Sequence, residues 1–288
     1  MQIHLFIRKI KLFGKFPFVR LFQIVDNPAY LFHIFLKNVF YKRDQTNYAK
    51  KYSNFKFISG QATLEHLITT GKSLSRFSDG EFDQITGGGE YPPDSNWSQK
   101  WSKSLQADLI NVLSSINTKL LIAVDPPTTF LSMKKQKHAI PFEFNMWVDM
   151  RRLMWRFLKS GNKYGHSHLF IRKNCPDLNW GMLKNFLREK IVIIATGNIN
   201  LISHLKIGKR TYFIECGTKN AYERKNSIKL EIINLLQNKN IKKKESIILL
   251  SLGPTATILA SELLNYKIQA WDTGHIFRFL DKNLFSEN

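Results

Sequence analysis

Cysteine is scarce in this 288-residue chain, which contains only Cys175 and Cys216. Two lone thiols without the paired spacing of a zinc site exclude the disulfide framework of a small secreted domain and agree with a reducing compartment. The length suffices for one large domain or two small ones, and 43% hydrophobic residues suffice for a substantial core.

Acidic residues are about half as frequent as basic ones. The chain has 22 Asp and Glu against 43 Lys and Arg, which gives a formal net charge of +21 at pH 7. A charge of this size predicts an anionic partner, which is nucleic acid, an anionic membrane surface or a phosphorylated substrate.

Long apolar runs are also absent. No run approaches the roughly 20 residues of a membrane-spanning helix, and the first residues lack an apolar stretch followed by a small-residue cleavage site, so no secretory signal is expected. Residues 1–57 instead combine eleven Lys or Arg with two Asp and many aromatic residues. They form the first predicted unit, a basic, aromatic, helical extension, before a second unit over residues 58–288.

Three interpretations of this extension are open. Basic and aromatic residues at helical spacing are typical of a helix that lies on an anionic membrane surface. The same mixture suits single-stranded nucleic acid or helices packed on the core. We favour the membrane surface, which predicts a cytoplasmic protein, peripheral on the inner face of the plasma membrane, with no nucleic acid as partner.

The second unit shows strands that alternate with helices, which predicts an α/β fold with a largely parallel sheet flanked by helices. Continuous apolar runs of the kind found in buried parallel strands support this prediction. The predicted strands are Ser73 to Phe77, Lys119 to Val124, Leu169 to Arg172, Ile191 to Ala195, Thr211 to Glu215, Ser246 to Leu252 and Gln269 to Trp271.

Ser75 to Phe82 (SRFSDGEF) is the stretch with the clearest chemistry. Read as an extended segment that breaks at Gly80, it points Asp79 and Glu81 to the same side, where two carboxylates can ligate Mg²⁺ or Mn²⁺ together with substrate phosphates. Arg76 is then placed to meet an anion. A plain surface turn is the alternative, because Asp-Gly is a frequent turn dipeptide.

Other candidate residues follow predicted strands. Asp125 lies at the carboxyl end of a predicted strand and is kept as a reserve site residue. Arg172, at another strand end, is a candidate phosphate contact. Thr255 lies at the start of a helix, in a Gly-Pro-Thr sequence suited to binding an anion. His166 and His168 lack a third zinc ligand nearby. The chain has neither the GxGxxG nor the GxxxxGK[ST] spacing, so it predicts no Rossmann fingerprint and no P-loop.

Three blocks of residues together resemble a known family. SRFSDGEF, the Asn220 to Tyr222 sequence NAY and the late block LGPTATILASELLNYKIQAWDTGHI are similar, in order and spacing, to the bacterial glycosyltransferases of the GT-D fold. The resemblance covers roughly residues 60–279. Two departures are Ser78, where the family usually has Gly, and Ile-Phe-Arg-Phe after His275.

The resemblance implies a Rossmann-like GT-D fold and transfer of a sugar from a UDP-sugar to a cell-surface or protein-linked glycan, with Mn²⁺ or Mg²⁺ on the two carboxylates. It implies Asp79, Glu81, Asp272 and His275 as catalytic residues, with Asp79 and Glu81 holding the metal. The residues expected to contact the nucleotide-sugar are Arg76 and Asn220, which the resemblance implies, and Thr255 and Arg172, chosen above from their positions. The general base is left open between Asp272 and Asp125.

Overall fold

The structure, a computed structural model, describes residues 55–87, 98–125, 157–171, 174–274 and 276–279, with only the backbone for Asp79, Leu201, Arg278 and Phe279. The strands are β1 (Lys56–Phe57), β2 (Ser73–Phe77), β3 (Leu120–Val124), β4 (Lys163–His166), β5 (Ile191–Thr196), β6 (Arg210–Glu215), β7 (Ser246–Ser251) and β8 (Ala270–Asp272). The helices are α1 (Gly60–Thr70), α2 (Asp79–Thr86), α3 (Lys103–Leu113), α4 (Trp180–Arg188), α5 (Lys225–Asn238), α6 (Pro254–Glu262) and α7 (Ile276–Phe279).

The eight strands form one sheet in the order β1-β4-β3-β2-β8-β7-β5-β6. Every described strand pair is parallel, so all amino ends meet at one edge of the sheet and all carboxyl ends at the other. All residues of β2, β3 and β5 are buried. This explains the continuous apolar character of β3 and β5, because parallel sheets are covered on both faces.

Helices cover both faces of the sheet. One core cluster joins α1 and α4 to Leu74, Val192 and Trp271. On the other face, α5 and α6 pack on Ile193 and its neighbours, and α2 and α3 pack on Phe77. Alternate residues of one strand therefore serve opposite faces. The predicted α/β fold with a parallel sheet is confirmed.

Some predicted elements differ from the observed ones. The strand predicted over Leu169 to Arg172 is wrong: its described part lies in a turn, and β4 precedes it. Leu169 and Phe170 are nevertheless buried, which accounts for their apolar character. Residues 56–57 form β1, just before the predicted unit boundary at residue 58.

The rest of the predicted extension, residues 1–54, lies outside the described part of the chain, so its helices and its membrane contact stay predictions. None of the helices in the described residues has the length and apolarity to cross a bilayer.

Candidate active site at the centre of the sheet

The order of the sheet reverses between β2 and β8. From β2 the chain continues through β3 and β4 on one side, whereas β8 adjoins β7 and β5 on the other. In open α/β sheets, ligands bind outside the carboxyl ends of the strands at such a reversal, because the connections leave in opposite directions and open a crevice. The carboxyl end of β2 leads to Ser78, and that of β8 leads from Asp272 to Gly274.

A buried ion pair joins these two strand ends. Arg76 Nε lies 3.3 Å from Asp272 Oδ1, although 196 positions separate the residues in the sequence. The Thr257 hydroxyl of α6 lies 2.9 Å from both Asp272 Oδ2 and the Arg76 carbonyl oxygen, and the Gly274 amide donates to Asp272 Oδ1 at 3.0 Å. The Asp272 carboxylate therefore faces three hydrogen-bond donors.

Gly274 lets the β8 end lie directly on the arginine. Its φ of +52° is in the left-handed region, and a Cβ at this position would overlap the Arg76 guanidinium. The Arg76 Nη1 group also donates to the Ser167 carbonyl oxygen beyond β4. The Arg76 side chain thus ties together the ends of β2, β8 and β4.

The Asp79 to Glu81 segment is a helix start, which corrects the predicted extended turn. Asp79 is the first residue of α2, and Glu81 reaches back so that its Oε2 accepts from the Ser78 amide at 2.9 Å. Residues i and i+2 of a helix do not face each other, so the same-side argument fails here. Ser-x-x-Glu is the sequence signature of a capping box, and it was the signal that the sequence reading missed.

Asp125, Ser78 and His168 meet at the ends of β2, β3 and β4. The Ser78 hydroxyl donates to Asp125 Oδ2 at 3.2 Å and lies 2.9 Å from His168 Nε2. His168 Nδ1 is 3.3 Å from Asp125 Oδ1, and Ser167 donates to the same oxygen. The carboxylate touches both the serine and the imidazole, so these groups form a triangle and not the linear relay of a serine nucleophile.

Asn220 and Thr255 converge on the segment around Gln99. Asn220, with a left-handed φ of 50°, accepts the Lys100 amide on Oδ1 at 2.9 Å. Thr255, which is completely buried, has its hydroxyl 3.5 Å from Gln99 Oε1. Asn220 and Thr255, both predicted to contact the nucleotide-sugar, therefore contact protein groups in this structure. Their contact with a nucleotide-sugar stays a prediction.

His166 illustrates why two nearby histidines do not make a zinc site here. Burial, reinforced by the nearby His168 and opposed by Asp177, lowers the pKa of His166 to about 4. Its closest sulfur is Cys175 Sγ at 3.8 Å, whose own thiol pKa burial raises to about 12. Among the described residues, no three His, Cys, Asp or Glu side chains are grouped as a metal centre requires.

His275, Arg172 and the Asp79 side chain lie outside the described residues, so their predicted roles stay predictions. A cleft shared by Glu81 and His275 stays a prediction as well. Among the described residues near them in the sequence, Gly274 packs on Arg76, and Ser78 follows the same strand as Arg76.

Comparison with known proteins identifies the family. The sequence model of the glycosyltransferase GT-D fold family matches residues 74–283. The chain belongs to this family. The match spans both β2 and β8, so it includes the two strand ends that form the candidate site.

The similarity of this GT-D chain to individual proteins is more distant. It is 26% identical over 240 residues to "Probable glycosyl transferase Gly" of Streptococcus gordonii, covering 76% of this chain and 32% of the relative. The chain thus spans about a third of that relative's length.

Solved structures agree on the fold. A glycosyltransferase (domain of unknown function 1792) from Streptococcus sanguinis superposes with a TM-score of 0.62 at 22% identity, covering 77% of this chain and 82% of that one. A second structure, described as domain of unknown function 1792 with a distinct glycosyltransferase fold, gives 0.61 at 22% identity, covering 81% and 82%. The predicted GT-D fold and membership among glycosyltransferases are confirmed.

Proposed function

We propose that the chain transfers a sugar from a nucleotide-sugar, with UDP as the nucleotide, to a hydroxyl of a cell-surface or protein-linked glycan. The protein would act in the cytoplasm, on the inner face of the plasma membrane. Membership in the GT-D family supports the reaction type, and the resemblance of the three motif blocks supports the donor.

The observation that carries the proposal is the buried link between β2 and β8. Arg76, Asp272 and Thr257 fix the two strand ends on either side of the sheet reversal. A donor diphosphate bound there would meet a rigid, preorganised wall, and electrostatic stabilisation of a leaving group depends on such preorganisation. Arg76, a residue only 7% exposed, compensates the charge of Asp272 and would contribute to the electrostatic field next to a leaving diphosphate.

The resemblance of the SRFSDGEF block, and not the helical geometry, supports Asp79 and Glu81 as the residues that would hold Mg²⁺ or Mn²⁺. Carboxylate oxygens are the ligands these cations prefer, and one or two carboxylates with substrate phosphates form a common magnesium site. A carboxylate has about four acceptor positions, so the bond from the Ser78 amide is compatible with a cation on Glu81. When bound, the cation would offset the charge of the departing nucleoside diphosphate.

The acceptor hydroxyl needs a proton acceptor, and His168 is a candidate beside the two predicted carboxylates. Asp125 and Asp272 are 0% and 1% exposed, whereas the His168 side chain is 14% exposed and lies beside the Ser78 to Glu81 helix start. General base catalysis requires direct hydrogen-bond contact with the acceptor hydroxyl, so an acceptor would have to displace the Ser78 hydroxyl, which lies 2.9 Å from His168 Nε2.

The direct test is release of nucleoside diphosphate from a panel of nucleotide sugars, with Mn²⁺ or Mg²⁺ and with EDTA. We expect turnover of a UDP-sugar that EDTA abolishes and that Glu81→Gln abolishes too. Glu65→Gln is the matched control, because Glu65 lies on the exposed side of α1. Turnover that survives EDTA would overturn the metal assignment, and no turnover of any nucleotide sugar would overturn the donor class.

A basic nucleic-acid-binding protein is the alternative that the charge of +21 suggests. A ligand of the native state raises the melting temperature. We expect UDP with Mn²⁺ to raise it and an oligonucleotide at physiological salt to leave it unchanged; the reverse result would favour nucleic acid.

A further inference from the structure

Cations gather at the edge of the sheet opposite the candidate active site. Because all described strand pairs are parallel, the eight amino ends share one edge. Each strand has a Lys or Arg at its first residue or in the three residues before it. In the described part of the chain these are Lys56, Lys72, Lys119, Lys163, Arg188, Lys190, Lys209, Arg210, Lys243, Lys244 and Lys267. We call this set the basic edge.

Few acidic residues balance the basic edge. In the described residues, the same positions contain only Glu189 and Glu245. All its members except Lys72 and Lys190 are exposed, and Lys56 and Lys163 are register neighbours on β1 and β4. At the carboxyl edge, the described residues among the last of each strand and the three that follow include Asp79, Asp125, Glu215 and Asp272 and no Lys or Arg. The charge at the described strand ends is thus polarised along the strand direction.

The shape of the basic edge suits a flat, extended anion. Seven inter-strand spacings of about 4.8 Å give a row roughly 34 Å long. Nine of its eleven members are lysines. The described aromatic residues within four positions before a strand are Phe55 and Tyr266, and the Phe186 ring, which has Lys190 Nζ at 5.5 Å, is stacked on Trp271. Single-strand nucleic acid sites interleave aromatic platforms with cations, whereas anionic lipid requires only clustered positive charge.

The basic edge includes the strand that follows the basic N-terminal segment in the sequence. Residues 1–54 carry ten Lys or Arg against two Asp, and they precede β1, whose first residue, Lys56, is a member of the basic edge. The composition of this segment predicts contact with an anionic membrane surface, the same kind of partner that the basic edge suits.

We propose that the basic edge docks on an anionic membrane surface. In that orientation the strands run away from the bilayer, and the carboxyl ends, with the candidate active site, lie about 17–20 Å further out, the length of a strand of five or six residues. The acceptor would then be a glycan that extends from the membrane or is carried by a protein. The docking proposal does not depend on which sugar, if any, is transferred.

The test compares two variants of equal charge in the full-length protein. Lys119→Glu/Lys163→Glu changes the basic edge, and Lys103→Glu/Lys219→Glu changes exposed lysines at the start of α3 and after β6, toward the carboxyl edge. Binding is measured by flotation with vesicles of phosphatidylcholine alone or mixed with phosphatidylglycerol, at low and high salt. Circular dichroism confirms that both variants are folded.

We expect binding to the anionic vesicles only, and we expect high salt to weaken it. In the basic-edge variant the affinity should fall at least about 30-fold, because each lysine near the surface contributes about a fivefold change in affinity. In the control variant the affinity should fall much less. Equal losses in both variants would show that net charge alone matters and would overturn the proposal. Equal binding to neutral vesicles would overturn it too, as would preference for an oligonucleotide over anionic vesicles at the same salt.

Discussion

Glu81 has one observed role and one proposed role, and the two can be separated by substitution. Its carboxylate accepts the Ser78 amide, a capping function that glutamine also performs. Its negative charge is what a bound cation would require of an oxygen ligand. Because the two roles respond differently to substitution, this residue distinguishes folding from chemistry better than Asp272, whose loss would leave Arg76 buried without its partner.

We predict that Glu81→Gln leaves the free energy of unfolding within about 0.5 kcal/mol of wild type, because the cap is retained, whereas Glu81→Ala lowers it by about 1 kcal/mol. Urea unfolding monitored by circular dichroism measures both. Equal destabilisation by the two substitutions would contradict the capping role.

His166 predicts a pH dependence of stability. Its pKa is about 4 in the folded protein, mainly because of burial, against about 6.5 in an unfolded chain. The unfolded state therefore binds more protons between these values, so stability falls as the pH is lowered from 6.5 toward 4, by up to about 3 kcal/mol.

We expect His166→Asn to remove that contribution, since an amide oxygen can still accept the His168 amide, which donates to His166 Nδ1 at 3.2 Å, but does not titrate. The measurement is the urea midpoint at pH 7 and pH 4.5 for both proteins. A variant that loses as much stability on acidification as wild type would refute the assignment.

At the scale of elements, the end of β8 depends on a glycine. Gly274→Ala would place a Cβ in the Arg76 guanidinium at a left-handed φ, and we predict a loss of at least about 3 kcal/mol of stability. Gly71→Ala is the matched control, because Gly71 also has a positive φ of 64° but has no heavy atom within 4 Å of the added Cβ.

The control should lose only about 1–2 kcal/mol, the cost of the left-handed backbone itself. Chemical denaturation of the two variants gives the difference. Similar losses at the two positions would mean that contact with Arg76 contributes nothing.

The elements that local pattern predicts are those with continuous apolar runs or clear caps. Ile191 to Ala195 and Ser246 to Leu252 were predicted as strands and are β5 and β7. Local patterns did not predict β4, because the feature that distinguishes it is a close tertiary approach. A Cβ on Gly165 would lie 2.9 Å from Thr63 Cγ2 of α1. No local pattern in the sequence reveals that approach.

At the scale of the whole molecule, sequence reasoning cannot give the order of the strands. Local patterns predict each strand separately, whereas the neighbours β2 and β8 come from opposite ends of the matched region. The site residues could be proposed from motif resemblance, but the contacts of Arg76 with Asp272 and Ser167 depend on that order. Thr257 and Gln99, which connect the site, carried no signal strong enough to be chosen, whereas Ser78 opens the Ser-x-x-Glu capping signature.

The central claim is that the reversal between β2 and β8 binds a nucleotide through a cation at the start of α2. Titration calorimetry of UDP into wild type and Glu81→Gln, with Mn²⁺ and with EDTA, tests it most directly. We predict binding by wild type only when Mn²⁺ is present, and affinity at least about tenfold lower for Glu81→Gln, the minimum expected from losing a charged ligand. Equal affinity of the two proteins for UDP, or binding undiminished by EDTA, would contradict the claim.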